Sequence, residues 1–383
     1  MKTVLFLLVL FLIPIIPASA ADTSQVEGTG SARIAELYSD LESFDVILYS
    51  NQPEENLTLE VSLVKPERET EEVIAAQAFS TGSFPANTRV TKVGFWNIRN
   101  AERGAYTLRA KLLEKEKVLS ESEYGFVYGS NSASKLQVDD LVPNSEGITV
   151  VLSPNQASLF DIEYMLVDGH NVIYSAKTEK AALTSVPETF SASWGTLLEN
   201  NKEYTGRVKV RVYSPSRGFI ASTEHFTSGD DAEITDIYQD ETGASATVLG
   251  RSQVPFEGNL VFSVYDLQEN SGNSSSVFVE SIRERVPVLL NDDDETVEVA
   301  WKERLTEGIY RLEIELFGND GDVIERRETI IESDLSPLNA SEASPGTGNA
   351  TSGENGGTGI PGFSVTAGVA GLALVFTLFK RLH

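Results

Sequence analysis

All three tryptophans of this 383-residue chain stand in the same small constellation: Trp96 precedes Tyr106, Trp194 precedes Tyr204, and Trp301 precedes Tyr310. The first two gaps are ten residues and the third is nine. Trp96 to Trp194 spans 98 residues and Trp194 to Trp301 spans 107, so the chain repeats itself at a period near 100. A period of that size, carried by short runs of alternating apolar and polar residues, is the spacing of small β-sandwich domains. The reading is an all-β protein with three such domains in tandem.

The words around each pair repeat as well. The tyrosines open Tyr106-Thr107-Leu108-Arg109-Ala110, Tyr204-Thr205-Gly206-Arg207-Val208 and Tyr310-Arg311-Leu312-Glu313-Ile314. Each time a strand ends near the Trp, a polar turn follows, and an alternating strand starts near the Tyr. A Tyr at that corner buries its ring and returns its hydroxyl to nearby backbone. In this the chain resembles Ig-like and fibronectin type III-like sandwiches, whose tyrosine corner works the same way. An exposed row of aromatics for carbohydrate stacking would use the same residues, but buried aromatics dominate core energetics. The expected boundaries are 21–130, 131–229 and 230–332. Within them Leu57–Val64, Phe160–Val167 and Thr296–Trp301 alternate clearly as strands. Asp168-Gly169-His170-Asn171 and Gly318-Asn319-Asp320-Gly321-Asp322 read as hairpin tips, and Asn270–Ser276 reads as a polar loop. Helix signals are scarce.

Charge and cysteine usage narrow the function. With 57 acidic and 30 basic residues the formal net charge is −27. So acidic a surface argues against nucleic acid as a partner, since nucleic-acid binding needs basic patches. There are no cysteines, which excludes disulfides, thiolate metal sites and cysteine nucleophiles. The sandwiches must be held by packing alone, within reach of domains of about 100 residues.

The two ends carry addresses. Residues 1–20 combine Lys2, an apolar run from Val4 to Ile16 and the small residues Ala18-Ser19-Ala20, which is the pattern of a secretory signal peptide cut after Ala20. Residues 333–359 collapse into Ser, Pro, Gly, Thr, Asn, Ala and Glu and read as a tether without a core. Ile360 to Phe379 is 20 residues long, enough to cross a bilayer as one helix, and Lys380-Arg381 behind it places the last residues of 360–383 in the cytoplasm. The ordered set Pro361-Gly362-Phe363, a small-residue apolar span and a basic end resembles the PGF-CTERM sorting signal of archaeal surface proteins. That resemblance implies an archaeosortase-type membrane protease as a processing partner, cleavage near the triplet and a lipid-linked product. A plain membrane anchor is the other reading, and both put the chain on the cell surface. Four Asn-x-Ser/Thr sequons, at Asn56, Asn273, Asn339 and Asn349, are candidate glycan sites.

No motif points to catalysis. The chain lacks a His-Glu-x-x-His, a Gly-x-Ser-x-Gly, a phosphate-cradling glycine loop and an EF-hand loop. His170, His225 and His383 lie far apart in sequence, which argues against a triad or zinc site. No cofactor and no metal are expected. Asn291-Asp292-Asp293-Asp294-Glu295 and Asn319-Asp320-Gly321-Asp322 offer the oxygen ligands calcium favours, but solvated loops and turns favour the same residues. The expectation is a non-enzymatic, surface-tethered protein with a structural or binding role. The alternatives are an adhesin for a specific carbohydrate or protein ligand, and a secreted hydrolase whose site carries no familiar motif.

Overall fold

Period-two alternation dictates extended chain, and the described residues contain strands and no helix. The computed structural model describes residues 25–26, 31–66, 71–98, 101–129, 136–270 and 273–334. The expected signal peptide and membrane span lie outside these residues, as does the expected tether except at 333–334, where Ser333 is buried and still ends the last strand. Among the described residues no helix is long and apolar enough to cross a membrane.

The first sandwich holds β1 (Gln25–Val26), β2 (Ala32–Ser39), β3 (Ser43–Ser50), β4 (Leu57–Pro66), β5 (Glu71–Ser80), β6 (Thr88–Phe95), β7 (Gly104–Glu114) and β8 (Lys117–Tyr128). The second holds β9 (Leu136–Pro143), β10 (Gly147–Pro154), β11 (Ser158–Asp168), β12 (Asn171–Leu183), β13 (Glu188–Ser193), β14 (Glu203–Ser214) and β15 (Gly218–Thr227). The third holds β16 (Ala232–Gln239), β17 (Gly243–Gly250), β18 (Asn259–Asn270), β19 (Asn273–Arg285), β20 (Asp294–Ala300), β21 (Gly308–Phe317) and β22 (Val323–Ser333). One topology is used three times. The strand order β2-β3-β6 faces β8-β7-β4-β5, β9-β10-β13 faces β15-β14-β11-β12, and β16-β17-β20 faces β22-β21-β18-β19. Short β1 extends the first of these four-stranded groups beyond β8. All pairings are antiparallel, so alternate side chains of each strand enter a core and the others face outward.

Each core is built on its aromatic pair. Trp96, Trp194 and Trp301 are buried, as are Tyr106, Tyr204 and Tyr310. Tyr106 donates from its hydroxyl to the Glu102 carbonyl at 2.6 Å, and Tyr310 donates to the Thr306 carbonyl at 3.1 Å. The second copy differs in direction: the Tyr204 hydroxyl accepts from the Glu199 amide at 3.3 Å. Truncating any of these aromatics should cost about 3–5 kcal/mol.

The tryptophans are also tied to a hairpin that repeats with them. Asp40, Asn144 and Asp240 follow the first long strand of each sandwich. The Oδ1 of each accepts the backbone amides two and three residues on, at distances from 2.7 to 3.0 Å. This is the local side-chain turn that Asp and Asn favour. Each Trp amide then bonds a carbonyl of that turn: Trp96 to Glu42, Trp194 to Glu146, Trp301 to Thr242. Each indole reaches the same hairpin, at Ser39 Oγ, the Asn144 carbonyl or the Asp240 carbonyl. Where the next strand starts, Gly147 and Gly243 are required by close approach, because a Cβ would lie 2.3 Å from the Ala192 carbonyl oxygen and 2.2 Å from that of Val299.

Two elements depart from expectation. β5 is a full strand although Ala75, Ala76 and Ala78 and its two glutamates lack the β-branched signature. The expected loop at Asn270–Ser276 is a shorter turn, since Ser274, Ser275 and Ser276 pair with Glu269, Gln268 and Leu267.

Candidate functional site

The most densely charged buried region lies between the first two sandwiches. On β14, Val208 and Val210 point into the second core, so Arg207 and Lys209 must face out. On β3, Phe44 and Val46 point into the first core, so Ser43 and Asp45 face out. These two outward faces meet. Arg207 Nη2 donates to Asp45 Oδ1 at 3.1 Å, Arg207 Nη1 donates to Ser43 Oγ at 2.5 Å, and Lys209 Nζ donates to Asp45 Oδ2 at 2.5 Å. Arg207 is 0 % exposed, Asp45 1 % and Lys209 6 %, so water screens none of the three. Tyr38 on β2 sits beside them, with its ring centroid 5.6 Å from that of Phe219 on β15 and 5.1 Å from Lys209 Nζ.

An apolar patch continues the contact. Val93 of β6 packs with Met165 and Val167 of β11, with Phe95 and Val172 against them. One backbone bridge joins β6 to β12, at Lys92 and Asn171, and so fuses the sheets of both sandwiches into the seven-stranded order β15-β14-β11-β12-β6-β3-β2. At the bridge Lys92 Nζ donates to Asn171 Oδ1 at 2.5 Å, and burial lowers the lysine's pKa. Both histidines of the second sandwich serve here, although sequence separation gave no sign of it. His170 stacks on Phe79 of β5 at 4.8 Å, and its Nδ1 lies 2.9 Å from the Val93 carbonyl. His225 meets Phe95 at 5.8 Å and Thr205 at 2.8 Å. His383 lies outside the described residues.

Beside the buried charges opens a cleft of about 180 Å³, lined by Glu36, Arg89, Asp161, Glu163, Lys177, Lys209 and Arg211 among others. Burial works against ionised Asp161, but the Tyr213 hydroxyl, the Lys180 amide and Lys177 outweigh it and hold its pKa near 2. A carboxylate held that low is a counter-ion and a poor base. Glu163 moves the other way. Burial raises its pKa, Lys209 partly offsets this, and Asp45 and Glu36 add to it. Taken together, the geometry is that of a lock between modules.

The other expected sites fare differently. Asn56 is exposed, in a left-handed conformation with φ 59°, directly before β4. Asn273 is the first residue of β19, at a hairpin tip. Asn339, Asn349, Pro361, Gly362 and Phe363 lie outside the described residues. Among the described residues no group of three or more His, Cys, Asp or Glu is placed to hold a metal ion. In the first acidic run Asp293 accepts the Leu290 amide at 3.1 Å as a turn residue. In the second, Asn319 donates to the Pro255 carbonyl at 2.8 Å within the third sandwich, and Asp320 accepts from Asn201 Nδ2 at 2.6 Å, which helps join the second sandwich to the third. The same joint carries the Leu198 amide to the Gln253 carbonyl at 3.1 Å, and Val254 packs into the second core.

The chain matches no family model and no curated protein sequence. Among solved structures it is similar to trypsin-activated alpha-2-macroglobulin from Escherichia coli, at 12 % identity and TM-score 0.20, over 85 % of this chain and 24 % of that one. A DUF4785 family protein from Legionella pneumophila matches at 10 % identity and TM-score 0.27, over 82 % of this chain and 92 % of the other. Latent PorU from Porphyromonas gingivalis matches at 10 % identity and TM-score 0.21, over 79 % and 34 %. The chain thus spans about a quarter of the alpha-2-macroglobulin it matches. At TM-scores this low the likenesses carry no argument.

Proposed function

We propose that the chain is a non-enzymatic cell-surface protein, exported by residues 1–20 and tethered to the membrane at its C-terminus through the sorting signal in residues 360–383, with a structural or binding role in the cell envelope. Its working part would be three Ig-like sandwiches, at 21–130, 131–229 and 230–332, carried on the tether 333–359. The observation that carries this reading is the pairing of an export signal at one end with the ordered set Pro361-Gly362-Phe363, apolar span and Lys380-Arg381 at the other. The interlocked first and second sandwiches support it, because a buried, hydrogen-bonded junction makes a stiff outer body rather than a string of loose beads. Mass spectrometry of the mature protein from its native cell tests the proposal. A chain beginning at Ala21, ending near the triplet and carrying glycans on the candidate asparagines is the expected result. A chain that keeps residues 1–20 and partitions with the cytosol would overturn it.

A further inference from the structure

The joint between the first two sandwiches shows one surface on which this module docks another. In the second sandwich the cross-strand row Val172–Val167–Thr205–His225 lies on the outer face of the four-stranded sheet. The first sandwich covers that row with Val93 and Phe95 from its three-stranded sheet. Counting from the corner tyrosine, Thr205 corresponds to Arg311, so the equivalent row in the third sandwich is Phe278–Tyr265–Arg311–Ile330. That row is uncovered among the described residues: Phe278 is 58 % and Ile330 47 % exposed. It has the aromatic, aliphatic and arginine make-up of interface cores. Tyr265 carries the Arg311 guanidinium 4.7 Å from its ring centroid. The carboxylates nearest Arg311, on Glu328 and Glu313, stand at 3.8 and 3.9 Å, too far for a hydrogen bond.

The matching half of the junction is also present and also open. The covering face of the first sandwich presents Tyr38 in register with Asp45 and Val93. The same row of the third sandwich is Tyr238–Ser245–Glu298. Tyr238 is 63 % exposed where its counterpart Tyr38 is 4 % exposed. The Glu298 side chain is exposed and makes no ion pair or hydrogen bond among the described residues. One sandwich therefore carries an arginine-centred receptor on one sheet and a tyrosine–glutamate plug on the other. We infer that the third sandwich of one copy docks on the third sandwich of the next, with Glu298 meeting Arg311, through the same two faces that meet between the first two sandwiches but with other charges, since Glu313, Glu315 and Ser245 stand where that joint has Arg207, Lys209 and Asp45. The two surfaces differ, so the contact is heterologous and joins molecules head to tail, into a ring where the rotation between copies closes and an open row where it does not.

The inference deepens the envelope role proposed above, and the two fail separately: a monomer with the expected mature ends would sink the contact and leave the surface role standing. Sedimentation of the full chain, solubilised in mild detergent, over a range of concentrations tests it. Wild type is expected to sediment faster as concentration rises, beyond the size of a dimer. Arg311→Glu and Glu298→Arg should each weaken association at least tenfold, and their equimolar mixture should regain it, because every contact again pairs opposite charges. Phe278→Ser, at a solvent-facing side chain, should weaken it without charge change. A wild type that stays monomeric, or an association indifferent to all three substitutions, as contact through the tail would be, overturns the inference.

Discussion

Arg109 and Arg207 occupy the same place, three residues past a corner tyrosine on the outward face of β7 and β14, and each is followed two residues later by a lysine. Their fates differ because of the strand next door. Arg109 and Lys111 stand opposite Glu123 and Glu121 of β8. Arg109 donates to Glu123 at 2.5 Å and to Glu71 at 3.1 and 3.3 Å, so its charge is answered within its own sheet and the face stays in water. Arg207 and Lys209 stand opposite Thr223 and Ala221 of β15, which cannot answer a charge. Asp45 of the neighbouring sandwich does so instead, and the face is buried. On the β15 side no acid answers these cations; on the β11 side Glu163 stands opposite Lys209, and Arg207 is left to Asp45.

The largest effect expected from this contrast is for Arg207→Ala. It leaves Asp45 buried beside one cation and should cost about 3–5 kcal/mol in urea melts. A loss below about 1 kcal/mol would mean that water reaches the junction and screens Asp45. Next is the triple change Asp45→Leu, Arg207→Met, Lys209→Met. Removing these three buried charges together should be neutral or gain up to about 4 kcal/mol. A large loss would show that the ion pairs themselves hold the sandwiches together.

Glu163→Gln should give a smaller, pH-dependent gain. The folded pKa of Glu163 is raised, so the fold binds its proton more tightly than the unfolded chain does. Stability is then lost as pH rises from the unfolded value, about 4.3, through the folded one. The variant should match wild type in acid and exceed it above that window, as read from melting temperature against pH. A gain confined to acid would reverse the assignment. The smallest effect is expected for Arg109→Ala, at about 0–1 kcal/mol and shrinking in 1 M salt.

Much of the fold was legible from the Trp–Tyr pairs because three copies make one pattern visible, and buried rings with hydrogen-bonded hydroxyls follow from what those residues are. The Asp40, Asn144 and Asp240 hairpins were in plain sight but too short to stand out as a repeat. β5 was hidden because alanine and glutamate carry little strand signal. The junction was hidden for another reason. The alternation of Arg207, Lys209 and Arg211 with valines shows that these cations share a face, but which face a neighbour covers depends on Asp45, 162 residues earlier in sequence than Arg207. Likewise nothing local marks Asp320 as an acceptor for Asn201 of the second sandwich.

That separation has a consequence for biogenesis. A chain made from its first residue onward completes the Asp45 face long before β14 leaves the ribosome. The first sandwich must therefore fold with this face still wet and its aspartate unanswered. Only when the second has formed can the two close over the charges. Translation speed between Tyr128 and Ser214 sets how long that half-made surface stays open to the wrong company.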